Sequence, residues 1–251
     1  GDWNFSFLLI VKYLGTCPKG ELHFAESLLT PCEIQDTQCL SKTTQEFLEK
    51  TSNGIPQYDI RAIDPLNIPS IDYVLIENPE AKMHLKNIKV VGLKNQQFSQ
   101  FKMDRDTKTV DLQTKNSFEI PSNISSDDVI TFFRGVKSND NIFVFAAVLG
   151  TAKYGYDFKV DEKGVEHYEV GPETITCQAV GEPTVTVGPE LEKELSSDKD
   201  ITDMRHNYAS KSKELREKEI CEIVNRAYVT VVHNIRASAK ILPKSAFLKG
   251  V

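Results

Sequence analysis

The sequence predicts an α+β fold in which a strongly curved antiparallel sheet wraps one long C-terminal helix, with a short helix near the N-terminus. Three observations carry this. Apolar residues recur in steps of three and four from Ser212 to Leu242, the period of a helix. From about Tyr73 to Val187 they alternate instead, the period of a strand. The second half of the long helix is apolar on nearly every face, since Val229 and Ala237 lie off the main stripe, and a helix apolar on all sides has to be covered on all sides.

The elements follow in chain order. Phe5–Val11 (FSFLLIV) is apolar like the centre of a secretion signal, although it is short and no basic segment precedes it; an N-terminal strand is the alternative. Residues 1–24 are therefore expected to be an N-terminal extension or signal remnant, and residues 25–251 a single domain. Asp36 to Lys50 reads as an amphipathic helix: Asp36 can cap it, Leu40, Thr44, Phe47 and Leu48 share a face, and Asn53-Gly54 stops it. Pro56, Pro65 and Pro69 punctuate an extended stretch over Ile55–Ile71. Leu85, Ile88 and Val90 keep a strand pattern only with a slip of phase near Lys86-Asn87, which predicts a bulge. Phe98–Met103 and Thr109–Leu112 flank a hairpin turn at Asp104-Arg105-Asp106-Thr107. Ile142–Val160 is long for one strand, turns at Asp161–Gly164 and returns as Val165–Val170; long strands with bulges imply curvature. Glu190–Asp203 is acidic and polar, a surface loop or short helix. The helix from Ser212 would run roughly 46 Å at the usual rise, and Pro243 ends it.

Composition narrows function more by exclusion than by assignment. A formal net charge of −6 argues against a nucleic-acid partner and against adhesion to anionic membranes. No run reaches the roughly 20 apolar residues of a membrane-spanning helix, so no stable membrane insertion is expected. The five histidines show no metal-ligand spacing, and there is no G-x-S-x-G elbow, P-loop, G-x-G-x-x-G or H-E-x-x-H. No catalytic residue, metal site or cofactor is expected. Of the five cysteines, none forms a C-x-x-C pair; Cys32 and Cys39 can close a short loop, and Cys177 with Cys221 could tie a strand to a helix, while five reduced thiols remain the alternative. Two sequons, at Asn4 and Asn123, fit a secretory route, with Asn123 the glycosylation candidate.

One pattern points to binding. Tyr154, Tyr156 and Phe158 share one face of one strand, and Tyr168 can lie on the returning strand. Such a stripe is either plain core against the long helix or the wall of a pocket. Buried tyrosines favour the second reading in one respect, because each hydroxyl requires a partner and an unsatisfied one costs ~1–3 kcal/mol.

Several longer stretches resemble the juvenile hormone binding proteins of moth haemolymph, in the takeout-like superfamily. They are Phe47–Ile60 (FLEKTSNGIPQYDI), Ile63–Leu66 (IDPL), Gly92–Gln97 (GLKNQQ), Tyr154–Tyr156 (YGY), Pro172–Thr174 (PET) and Val232–Pro243 (VHNIRASAKILP). The similarity runs from about Ala25 to Phe247. It implies the same fold, pairings Cys32–Cys39 and Cys177–Cys221 with Cys17 left over, and a secreted monomeric carrier that binds the hormone, shields it from hydrolysis and is no enzyme. The implied pocket lies at one end under the first helix, which acts as a gate. Its implied ligand-binding residues are Tyr154, Tyr156, Tyr168, Phe47, Ile55, Pro56 and Phe247, with the Tyr154 hydroxyl meeting the hormone's epoxide oxygen. Tyr168 stands where relatives carry Phe, and Phe247 is one of a Phe pair whose second member is Leu248 here. A paralogue carrying another small lipid, a secreted esterase or epoxide hydrolase, and an interaction module are the competing expectations.

Overall fold

A computed structural model describes residues 27–77, 80–122, 129–130, 136–137, 142–182, 184–207 and 209–251. The expectations for residues 1–24, Cys17 and Asn123 lie outside these. Strand β1 (Cys32–Glu33) leads into helix α1 (Thr37–Thr51). Then come β2 (Leu66–Glu77), β3 (Glu80–Val90), β4 (Phe98–Asp104), β5 (Thr109–Ser122), β6 (Val129–Ile130) and β7 (Val136–Lys137). The long β8 (Ile142–Val160) returns as β9 (Glu166–Ala179), followed by β10 (Thr184–Val187). Helices α2 (Pro189–Ser197) and α3 (Lys199–Asn207) occupy the acidic stretch, α4 (Ser212–Ile241) is the long helix, and β11 (Leu248–Lys249) closes the chain.

The main sheet has seven strands in the order β10-β8-β5-β3-β2, with β4 on β5 and β9 on β8. Its spine is the antiparallel pair β5–β8, in unbroken register from Thr109 opposite Gly155 to Ser122 opposite Ile142. Each spine strand has different neighbours at its two ends. β5 pairs β4 through its first half and β3 at Ser122; β8 pairs β10 at its start and β9 from Val148 on. A sheet whose edges change partner along the spine bends out of plane, and the bend encloses α4.

The expected bulge at Lys86-Asn87 takes another form. Buried positions on β3 shift from Leu85 to Ile88, and on β2 from Ile68 to Ile71. The β2–β3 register is nevertheless continuous there, from Leu66 opposite Val90 to Val74 opposite Lys82. Both strands flip phase together, at Pro69, which has no N–H for the ladder, and at Asn87, which has φ 52°. The register shift in this pair falls instead between Val74 and Ile76. The expected extended stretch Ile55–Ile71 is also revised: Pro56 opens a 3-10 turn, Ile55 bridges Ile60, and β2 begins at Leu66.

The long helix is enclosed on most of its circumference, not all of it. Ile220, Val224, Ala227, Val231, Val232, Ile235 and Ala239 are buried, but Val229 is 39% exposed. Arg226, Val229, His233, Arg236 and Lys240 form one stripe at steps of three and four, so the sheet does not close over it. Part of that stripe is spanned by the loop after α1. Asn234, fully buried, accepts from the Arg61 N–H and donates to the Arg61 carbonyl, both at 2.8 Å, as a strand neighbour would.

Disulfides fasten two joints: Cys32–Cys39 links β1 to the first turn of α1, and Cys177–Cys221 links β9 to α4. In the chain-entropy account these contribute roughly 2.5 and 4 kcal/mol. Inside the sheet, the Tyr228 hydroxyl rests on Gly150, where an added Cβ would meet it at 2.3 Å. That hydroxyl is buried and has no hydrogen-bond partner among protein atoms. Tyr228→Phe is therefore expected to stabilise the chain by ~1 kcal/mol, and Gly150→Ala to cost ~1–3 kcal/mol that Tyr228→Phe does not restore, because the ring carbons would meet the added Cβ about as closely as the hydroxyl does. Denaturant unfolding with the disulfides intact measures this; a destabilised Tyr228→Phe would mean that the hydroxyl is paired.

Candidate functional site

Helix α1 forms because Asp36 accepts the Cys39 N–H at 3.0 Å as its cap and because Leu40, Thr43, Thr44, Phe47 and Leu48 make one buried face. Hydrogen bonds hold it at both ends. Behind its start, β1 pairs in parallel with β11, Cys32 opposite Leu248, and the Cys32 N–H donates to the Phe247 carbonyl at 3.1 Å. Past its end, the Ser52 carbonyl accepts from Ile63 and Asp64. The buried Asp64 carboxylate in turn accepts from the Gly92 and Lys94 N–H groups at 3.2 Å. Helix and C-terminal tail thus cover one end of the sheet together.

Between them lies a cavity of about 500 Å³, counting its open mouth. Leu29, Leu40, Phe47, Phe101, Met103, Ile235, Phe247 and Leu248 supply the apolar wall. Hydroxyls come from Thr43, Thr44, Ser238 and Tyr168. Three of these are already engaged: Thr43 accepts the Thr30 N–H at 2.8 Å, Thr44 donates to the Leu40 carbonyl at 2.7 Å, and Ser238 donates to the Asn234 carbonyl at 2.9 Å. The Tyr168 hydroxyl is different. It is buried beside the equally buried Tyr154 hydroxyl, and the two act on each other at the edge of hydrogen-bond reach; neither has another partner among the described residues. Burial pushes the Tyr154 phenol up to about 12 and the Tyr168 phenol well above its usual range, so both are neutral donors at physiological pH.

Of the residues singled out from sequence, Phe47, Tyr168 and Phe247 line the cavity. Tyr168 stacks at a tilt against Phe247, with ring centres 5.6 Å apart. Tyr154 is 2% exposed and stands behind Tyr168, off the wall. Tyr156 turns its hydroxyl to the Asp104 carbonyl at 3.2 Å and packs edge-on to Phe158, so it braces the β4–β5 hairpin. Ile55 is buried in the bridge to Ile60, and Pro56 is exposed at the following turn; neither is on the wall. Sequence reasoning missed Phe101 and Met103, whose alternation on β4 was the available signal, and Ile235 with Ser238, one turn apart on α4. It also missed Leu29, for which the sequence offered no signal.

No helix among the described residues is long and apolar enough to cross a membrane. The family profile described as haemolymph juvenile hormone binding protein matches residues 8–122. A juvenile hormone-binding protein of Manduca sexta is 45% identical over 226 residues, covering 90% of this chain and 97% of that one. Among solved structures, Takeout 1 of Epiphyas postvittana has a TM-score of 0.68 at 17% identity, over 87% of this chain and 99% of its own. That likeness concerns the fold.

The wall makes a direct claim about access. Ser238 is fully buried on α4 and faces the cavity, so Ser238→Leu would push a branched chain into it. A fluorescent apolar probe titrated against this variant is expected to bind at least about tenfold more weakly than to the parent, with circular dichroism unchanged. Unchanged probe affinity would place apolar binding elsewhere.

Proposed function

The chain belongs to the haemolymph juvenile hormone binding protein family, and from that premise we propose that it is a secreted carrier of juvenile hormone, a sesquiterpenoid methyl ester with an epoxide. The observation that carries the reading is the Tyr168 hydroxyl, backed only by that of Tyr154, at one end of an otherwise largely apolar cavity wall. An apolar ligand with one acceptor oxygen supplies what that end lacks. Burying on the order of 400 Å² of terpenoid surface gives roughly 10 kcal/mol gross. Lost motion takes back several of these, which leaves room for submicromolar affinity without covalent chemistry.

In this reading Tyr168 meets the epoxide oxygen from the wall and Tyr154, behind it, completes the hydroxyl pair, while Phe47 and Phe247 pack on the terpenoid chain. Tyr156 and Ile55 act one layer out, supporting the hairpin and the turn that frame the site, and Pro56 starts that turn. Residues 25–251 form the lipid-binding domain, which works as a monomer. Two disulfides suit an oxidising, extracellular setting. Among the described residues the cavity wall holds no carboxylate, imidazole, thiol or amine, so in this reading a bound ester meets no nucleophile–base pair there and is shielded rather than cleaved. The reading of a paralogue for a different lipid has one observation in its favour: Tyr168 brings a hydroxyl to the wall with Tyr154 behind it, so a ligand with two polar atoms at one end would also be accommodated.

Tyr154→Phe keeps the ring and removes the donor. Affinity for the epoxide-bearing ester is expected to fall by ~1–3 kcal/mol, about 5- to 150-fold, while the same ester without the epoxide loses almost nothing. Equal weakening of both would make Tyr154 a core residue. Tight binding of neither by the parent chain, or release of hydrolysed ester above the buffer rate, would overturn the carrier reading.

A further inference from the structure

The β8–β9 pair contains a discontinuity that the cavity depends on. From Val160 opposite Glu166 to Tyr156 opposite Val170 the register is regular; from Tyr154 opposite Glu173 onward it has shifted by one residue. The extra residue lies on β9, in Gly171-Pro172. Its effect is visible in burial. Tyr168 and Val170 face inward before it, and Glu173, Ile175, Cys177 and Ala179 are the less exposed positions after it. An unbulged β9 could direct Tyr168 into the cavity or Cys177 toward Cys221 on α4, but not both. Gly171 is required for the close approach, since a Cβ there would sit 2.9 Å from the Gly155 carbonyl oxygen.

A bulge of this kind leaves carbonyls without ladder partners and turns a carboxylate inward. One side chain answers all three needs. Arg236, next to the wall residue Ile235 on α4, donates from Nε to the Val170 carbonyl at 3.1 Å and from Nη2 to the Gly171 carbonyl at 2.8 Å. It also pairs with Glu173, whose side chain is 15% exposed and which sits directly across from Tyr154. A guanidinium fork reaches several acceptors at fixed angles, which an ammonium cannot do.

We propose that Arg236 is the positioning residue of the tyrosine end: it holds the β9 bulge that aims Tyr168 at the cavity, sets its charge beside Tyr154, and so gives the site its preference for an apolar ligand that carries an acceptor oxygen. The inference rests on the carrier reading above. Its electrostatic part agrees with the Tyr154 phenol, which burial raises while the Arg236 charge acts the opposite way. A hydroxyl beside a cation is a stronger donor, so the charge improves the bond to the ligand's oxygen without touching the ligand.

The test is Arg236→Met and Arg236→Lys in the full chain, titrated with the epoxide-bearing terpenoid methyl ester and with the same ester lacking the epoxide. Arg236→Met is expected to lose about tenfold more affinity for the first ligand than for the second. Arg236→Lys keeps the charge without the fork and falls between it and the parent. In a Tyr154→Phe background, Arg236→Met weakens both ligands by the same factor. Equal weakening of both ligands in the otherwise unaltered chain, or no change, overturns the proposal and leaves the carrier reading standing. A parent chain that binds neither ligand defeats the carrier reading instead. In that case ring-carbon NMR of labelled tyrosines in the free protein decides the positioning role. Tyr154 and Tyr168 resonances should be displaced in Arg236→Met while Tyr73 and Tyr228 stay; unmoved Tyr154 and Tyr168 signals overturn it. If Arg236→Met does not fold, as judged by disulfide mapping and circular dichroism, Arg236→Lys carries the same comparison.

Discussion

The second half of the 30-residue helix α4 is apolar and has to be enclosed on most of its circumference, and a sheet does this only by bending. The rest of the fold follows from how the strands achieve the bend without losing hydrogen bonds. β5 and β8 keep one long register and change partners along their length. β2 and β3 reverse phase together at Pro69 and Asn87, so their apolar residues follow the curve of α4. β9 reverses phase alone, with a bulge whose freed carbonyls are taken by a side chain from the helix itself. Helix and sheet therefore satisfy each other's polar groups as well as burying each other's apolar ones.

β9 reaches the helix through His167, which bonds the Ala239 and Leu242 carbonyls. The cavity lies near Ser238, between the helix and the cover made by α1 and the C-terminal tail. These two pieces are tied to each other through β1–β11 and through Cys32, which is both a disulfide partner and a hydrogen-bond donor to the tail. Inside, the hydroxyls of Thr43, Thr44 and Ser238 are engaged with backbone, so Tyr168 supplies the wall's remaining hydroxyl.

Much of this was legible in the sequence because it is local. The three-four period gave α4 nearly to its ends, Asp36 and Gly54 bracketed α1, and alternation gave β8 and its return. The aromatic stripe was ambiguous for a physical reason: alternation fixes which residues share a face but not what lies opposite. The structure divides that stripe. Tyr168 reaches the wall, Tyr154 stands behind it, and Tyr156 is spent on the Asp104 carbonyl. What stayed hidden depends on partners far apart in the chain. The exposed stripe at Val229 exists because the loop near Arg61 and the β9 bulge cover only its flanks. Arg236 looked like one more charge on a helix until its acceptors, more than 60 residues away, were in place.

The central claim is that the space under α1 and the tail is where ligand binds, and hydrogen exchange tests it most directly. Amide exchange is followed with and without saturating epoxide-bearing terpenoid ester. The account predicts slower exchange in Thr37–Thr51 and in Phe247–Lys249 on binding, with little change in β2 and β3, which lie away from the cavity wall. Protection confined to β2 and β3, or identical exchange in α1 and the tail with ligand bound, would contradict it.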